Sequence, residues 1–408
     1  MRSIGALLAT TVLGACAASD PAVSTPAGEA EALAREYLIV DTHIDVPYRL
    51  QRNWQDVGVP TGDGDFDYDR ARRGGLNAPF MSIYIPARID ALGHAYSFAN
   101  AAIDIVERIA SEHPEKFAVA TCTDDLLRHK RQGLMSLPMG MENGGPIEGS
   151  LEKLDHFFAR GVRYVTLAHS KSNHISDSSY DNNKRWRGLS PFGKELIGEM
   201  NRRGMMVDVS HLSDDAFWQV LALSATPVLA THSSMRHFTP DFERNMTDAM
   251  VKAMAARGGV IHINFGSSFL HQPARDYGTR LQTEMAAYRT ANGLAEDDPR
   301  LSFFRTRFRE SNPYPFATLE DVVAHIERVV AVAGIDAVGI GSDYDGVGDS
   351  LPVGLKDAAT YPVLVEALRA RGFTRSDIRK LLGDNTLRVW RANEAYARAN
   401  GGAVTCAS

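Results

Sequence analysis

Short apolar, β-rich runs alternate along this chain with longer segments whose apolar residues recur at helical spacing. The runs are Leu38–Asp45, Ala78–Ile85, Leu134–Glu142, Val162–His169, Met205–His211, Val228–Ser233, Val260–Phe265 and Ala337–Asp343. Between them lie helical patterns such as Gly193–Arg203, with Leu196, Ile197 and Met200 on one side, and Leu319–Ala333, with Val322, Val323, Ile326, Val329 and Val330. Strands that alternate with helices of this length predict a parallel α/β sheet. Eight such units predict closure into a (β/α)8 barrel rather than an open, doubly wound sheet. No GxGxxG follows the first run and no GxxxxGK[ST] occurs, so the nucleotide-binding α/β designs lose support. Two insertions stand out, a polar, Gly-rich Arg49–Asn77 and an aromatic- and Arg-bearing Gly266–Phe316, and both are expected to serve as lids or packing surfaces.

Composition changes this picture little. The 408 residues suit one barrel with insertions, since such barrels run from roughly 250 residues to beyond 400. A net charge of −6 leaves no basic footprint for nucleic acid.

The N-terminus adds a location. Met1-Arg2 followed by an uncharged stretch to Val12 reads as a signal peptide, too short to span a bilayer. The Leu13-Gly14-Ala15-Cys16 ending resembles a bacterial lipoprotein processing site, which implies lipidation of Cys16. With Ala17 next, the resemblance favours the outer membrane, so the expected location is the bacterial cell envelope, lipid-anchored or periplasmic. The organisation is then signal peptide 1–16, flexible tether 17–31, a single catalytic domain 32–400 and a C-terminal tail 401–408. Cys122 and Cys406 remain, either paired or apart; neither has a CxxC partner, which excludes a cysteine zinc site.

What ends the runs carries the chemistry. The first closes on Asp41-Thr42-His43-Ile44-Asp45, and residues two apart on a strand face one side, so His43 and Asp45 form half a metal site. The third closes on Gly-Met-Glu142-Asn-Gly, the fourth on His169, the fifth on Ser210-His211, the sixth on Thr231-His232 and the eighth on Asp343-Tyr344-Asp345-Gly346. In a barrel all these ends meet at one mouth. A lone strand-end histidine is usually a hydrogen-bonded loop residue; the joint occurrence is what argues for a site. Five candidate ligands, His43, Asp45, Glu142, His211 and His232, exceed what one metal with an open position needs, and fit two ions sharing a carboxylate and a bridging hydroxide. Asp343 is placed to shuttle a proton. His262, mid-strand, is expected in the core, and His156 and His325 on helix surfaces.

Over Tyr37–Asn393 the chain resembles the membrane dipeptidase (renal dipeptidase) family of zinc peptidases, through Asp-Thr-His-Ile-Asp, Gly-Met-Glu-Asn-Gly, Leu-Ala-His-Ser, Asp-Val-Ser-His, Thr-His-Ser-Ser and Gly-Ser-Asp-Tyr-Asp-Gly in that order. The resemblance implies a zinc-dependent dipeptidase with two zinc ions per chain. His43 and Asp45 would bind one ion, His211 and His232 the other, and Glu142 both. His169 would steady the oxyanion, Asp343 move the proton, and Arg244 grip the terminal carboxylate of a dipeptide, including one with a D-residue at its C-terminal position. Arg236 is the alternative to Arg244, and a homodimer is implied. Gly266 departs from the aromatic that relatives often carry after Ile-Asn-Phe, so one pocket wall is either missing or supplied by the insertion. Two rivals stand beside this reading: another enzyme on the same site (a deacylase, lactonase or β-lactam hydrolase), and, from a different class, a non-catalytic peptide-binding envelope lipoprotein.

Overall fold

The computed structural model describes residues 25–407. The signal segment, Cys16 and the first part of the tether lie outside them. Ten strands form: β1 (Ile39–Ile44), β2 (Leu76–Tyr84), β3 (Phe117–Val119), β4 (Met135–Leu137), β5 (Met139–Glu142), β6 (Val162–Thr166), β7 (Met206–Asp208), β8 (Leu229–Ser233), β9 (Val260–Ile263) and β10 (Val338–Ile340). Eight of them close a parallel barrel in the order β1-β10-β9-β8-β7-β6-β5-β2. They are buried almost throughout, because helices cover the outside while side chains fill the inside.

The run Leu134–Glu142, expected as one strand, is two. Pro138 separates β4 from β5, and a proline has no N–H to give a ladder. Only β5 joins the barrel, and β4 pairs instead with β3 in a separate two-stranded sheet.

The helices stop where local chemistry tells them to. Pro191–Arg203 starts on Ser190, whose hydroxyl accepts the Gly193 N–H at 2.9 Å, and ends at Gly204 with φ of 74°. Leu319–Ala333 opens with a capping box between Thr318 and Asp321. The tether expected over 17–31 is corrected from residue 26: Pro26–Glu36 is a helix capped by Thr25, and it buries Ala30, Leu33 and Ala34 against Tyr361–Ala370. The insertion 49–77 is partly helical, as Val46–Arg52 and Tyr68–Gly74. The later insertion folds into Ser267–Leu270, Gln272–Ala291 and Pro299–Ser311. Cys122 and Cys406 are disulfide-bonded, which clips the tail onto the helix Thr123–Gln132, where Arg128 also donates to the Ala407 carbonyl at 2.8 Å.

The barrel interior holds a second apolar cluster, with Phe80, Tyr164 and Leu229 closed off by Leu387 and Trp390 of the C-terminal helix Asn385–Ala399. Gly140 makes room for it: a Cβ there would stand 1.9 Å from the Tyr164 ring. Among the described residues no helix is long and apolar enough to cross a membrane.

Candidate metal centre

His43, Glu142 and His232 lie in the last residues of β1, β5 and β8, Asp45 directly follows β1, and His169, His211 and Asp343 come three residues past the ends of β6, β7 and β10. Glu142 lies at the centre. Its Oε2 is 3.4 Å from His43 Nε2, and its Oε1 is 3.1, 3.2 and 3.4 Å from the Nε2 atoms of His211, His232 and His169. His43 Nε2 is also 3.6 Å from Asp45 Oδ2. The His43 and His232 rings stack at 3.7 Å, and the Nε2 atoms of His211 and His232 approach to 2.8 Å. Three overlapping triplets have ligand atoms within 4.8 Å of one another: His43–Glu142–His232, Glu142–His169–His211 and His43–Asp45–Asp343. All five candidate ligands are buried.

The hydrogen bonds behind the rings fix which nitrogen faces the site. Tyr164 donates its hydroxyl proton to the Thr42 carbonyl at 2.9 Å, so toward His43 Nδ1, at 3.0 Å, it can only accept. Likewise Thr231 Oγ1 gives its proton to Asp208 at 2.7 Å and accepts from His232 Nδ1 at 2.8 Å. Nδ1 of both rings therefore carries a proton and each Nε2 faces the site. Burial opposes charge on His43, but the Tyr164, Glu142 and Asp45 oxygens around it hold it well above the usual imidazole range, so its Nε2 also carries a proton, whose place a metal ion would take. His43 Nε2 is buried without a hydrogen-bond partner. Burial first, then the Arg244 charge and the neighbouring His169 and His43 rings, holds His211 and His232 well below the usual imidazole range, which keeps them neutral. Burial alone would raise Glu142, but the surrounding histidines hold it well below the usual carboxylate range. Imidazole nitrogens converging on the ionised Glu142 carboxylate are the donor set a divalent cation takes.

His211 and Asp343 have φ of 67° and 62°, a conformation uncommon for side-chain-bearing residues and held here by the strand-end turns. The Asp343 N–H reaches the His43 carbonyl at 3.0 Å, and its Oδ2 accepts from Asn264 Nδ2 at 2.7 Å. Burial pushes its carboxyl up to about 7. Arg244 is buried behind His232, donating to the Ser233 hydroxyl at 2.8 Å and the His232 carbonyl at 2.7 Å, with Nε left unpaired. Arg236 is committed elsewhere, with two nitrogens on Asp214 at 2.8 and 2.6 Å. His169 packs on the His211 ring at 4.2 Å and edge-on to Tyr84 at 4.9 Å.

Residues 27–402 match the sequence model of the membrane dipeptidase family (peptidase family M19). The chain belongs to the membrane dipeptidase family. Dipeptidase 3 of Mus musculus is 31% identical over 92% of this chain and 68% of that protein. The dipeptidase tcpJ of Claviceps purpurea is 32% identical over 84% of this chain and 73% of its own. The crystal structure of the probable dipeptidase PvdM from Pseudomonas aeruginosa superposes with a TM-score of 0.81 at 27% identity, covering 91% of this chain and 99% of that one. As a membrane dipeptidase family member the chain is a metallopeptidase hydrolase that acts on small peptides.

A cavity of about 950 Å³ opens over this centre, reaching Asp45, Glu142, His169, His211 and Asp343 and walled by Tyr48, Tyr84, Tyr180 and Phe269. In this membrane dipeptidase the sequence motifs pointed to Asp45, Glu142, His169, His211 and Asp343, which face the cavity, and missed both its aromatic walls and the residues that steady the site: Tyr164, Thr231, Asp208 and Asn264. Asn264 was within reach of the strand-end argument, since it directly follows β9; Tyr164 sits mid-strand and carries no such signal. Two other histidines can be checked. His262 is in the core as expected, bonded to the Ala230 carbonyl at 3.0 Å and Thr386 at 2.9 Å. His325 is not on a helix surface: it is fully buried, accepting the Met235 N–H at 2.9 Å and donating to the Leu270 carbonyl at 2.9 Å.

Proposed function

We propose that this chain is a dizinc dipeptidase in which His43 and Asp45 hold one ion, His211 and His232 the other, and Glu142 both. The observation that carries it is the convergence of the His43, His211 and His232 Nε2 atoms on one buried carboxylate, with the Nδ1 protons of His43 and His232 tied off behind them. An all-nitrogen and oxygen set without sulfur suits zinc. Two such ions supply Lewis acidity toward the scissile carbonyl and bring the pKa of water toward 7. The rest falls to the chain's own side chains. Asp343, with Oδ2 held by Asn264, takes the proton of the attacking water and returns it to the leaving amine. His169, at the cavity edge, donates to the oxygen that gains charge. Arg244, whose Nε has no protein partner, binds the terminal carboxylate and so measures substrate length, with either hand accepted at the C-terminal residue.

The experiment is metal analysis of the purified protein with a panel of L,L and L,D dipeptides and N-acyl amino acids. The expected result is two zinc ions per chain and dipeptide turnover; Asp343→Asn keeps the metal and loses kcat by ~10²–10⁴-fold, while Glu142→Gln loses the metal. Full activity after exhaustive chelation would overturn the reading. The same reading places the chain in the bacterial envelope, lipid-anchored through Cys16 and dimeric: Cys16→Ser is expected to move it from the membrane to the soluble fraction, and light scattering gives the subunit number.

A further inference from the structure

One wall of the cavity comes from neither a strand end nor a metal-site motif. At Gly266, just after β9, a Cβ would stand 2.8 Å from Phe269 Cδ2 and 2.9 Å from Val347 Cγ1. With φ of −59° the backbone there suits any residue, so what the glycine provides is space, and the Phe269 ring fills it. The ring is held from several sides. Its backbone carbonyl accepts from Asn245 Nδ2 at 2.7 Å, and Ser267, at the start of the same short helix, receives the Ala317 N–H at 2.9 Å. Phe242 packs 5.9 Å away, and Tyr180 lies 5.9 Å from Phe242. The Arg244 guanidinium carbon is 5.3 Å from the centre of the Phe269 ring.

These positions set where a substrate side chain starts. A dipeptide whose carboxylate meets Arg244 has the Cα of its C-terminal residue one bond from that carboxylate, and the Phe269 ring lies 5.3 Å from the same guanidinium. Phe269 lines the cavity beside Val347, with Tyr180 and Asp343 among the other lining residues. We infer that Phe269, seated in the space left by Gly266, walls the subsite for the C-terminal side chain and makes the enzyme favour dipeptides ending in a bulky apolar residue over those ending in glycine. The inference rests on the dipeptidase reading and on the Arg244 assignment above.

The test compares kcat/KM for Ala-Leu, Ala-Phe and Ala-Gly in the zinc-loaded wild type, Phe269→Ala, Phe269→Leu and Gly266→Ala. The wild type is expected to prefer the bulky residues by ~10-fold or more. Phe269→Ala is expected to remove most of that preference through KM, Phe269→Leu to restore part of it, and Gly266→Ala to shift it by displacing the ring. Metal content measured alongside separates loss of the wall from loss of the centre. A Leu-to-Gly ratio unchanged in Phe269→Ala, with metal intact, overturns the inference and leaves the dipeptidase reading standing. A zinc-loaded wild type that cleaves no dipeptide overturns both.

Discussion

At His232 the nitrogen facing away from the cavity gives its proton to the Thr231 hydroxyl, which passes its own to Asp208. Asp208 also receives the Ser210 and Thr231 backbone N–H groups at 3.0 and 2.9 Å, so one buried carboxylate positions the ends of β7 and β8 together. Thr231→Val keeps the shape and removes the relay. Metal affinity, read by chelator competition, is expected to fall ~10–100-fold, with little change in the melting temperature of the metal-free protein; unchanged affinity would show that the ring is held by packing alone. His325 gives a second test. Burial lowers its pKa from 6.5 to about 4, since a second ring proton would displace the Met235 N–H. Above pH 6.5 neither state is charged and stability is complete. As pH falls from 6.5 toward 4 only the unfolded chain takes up the proton, so folding loses on the order of 3 kcal/mol across that window. His325→Gln should flatten that part of a denaturation-versus-pH curve, and an unaltered slope would refute the assignment. The five candidate ligands were legible in the sequence because strand ends of a barrel share one mouth. His325 was misread because its helix reads as amphipathic, and only the fold shows the loops from Met235 and Leu270 covering it.

Among the elements, the disulfide makes the clearest prediction. Cys122 and Cys406 are 284 residues apart, so the bond closes into one loop every strand from β4 onward, while β1, β2 and β3 precede it. Its loss is expected to cost on the order of 2–4 kcal/mol, visible as a lowered Tm both in Cys122→Ser/Cys406→Ser and in wild type with reductant; a Tm insensitive to reductant would show that the tail pairing does not constrain the unfolded state. The sequence left the pairing open because two thiols so far apart carry no spacing signal. Seven of the eight runs contain or overlap one barrel strand each, but the runs ending in His169, His211 and Asp343 pass the ends of β6, β7 and β10 by three residues. The remaining run, Leu134–Glu142, was cut at Pro138, and three-residue β3 was too short for a period-2 pattern to show. Pro26–Glu36 escaped notice because an Ala-, Pro- and Gly-rich opening reads as a linker until Leu33 and Ala34 are seen to bury against Tyr361–Ala370.

For the molecule as a whole, barrel closure explains why groups from residue 43 to residue 343 meet at all. If the buried carboxylates and imidazoles are a metal centre, the native state binds the ions and the unfolded chain does not, so chelation should lower Tm and restored zinc should return it in a concentration-dependent way. A Tm indifferent to both would remove the metal from the account of folding. The barrel was legible from eight alternations; the closed-off interior was not, because Trp390 lies in the last helix and nothing in its neighbourhood announces that it faces Phe80. Tyr164 spans that interior, its ring against Phe80 and its hydroxyl on His43. One rigid side chain thus has its body in the greasy floor and its tip under a candidate ligand imidazole. A hole opened beneath it, as by Trp390→Ala, would let the phenol sag and would be felt at the opposite end of the barrel as a slackened histidine, long before the protein came apart.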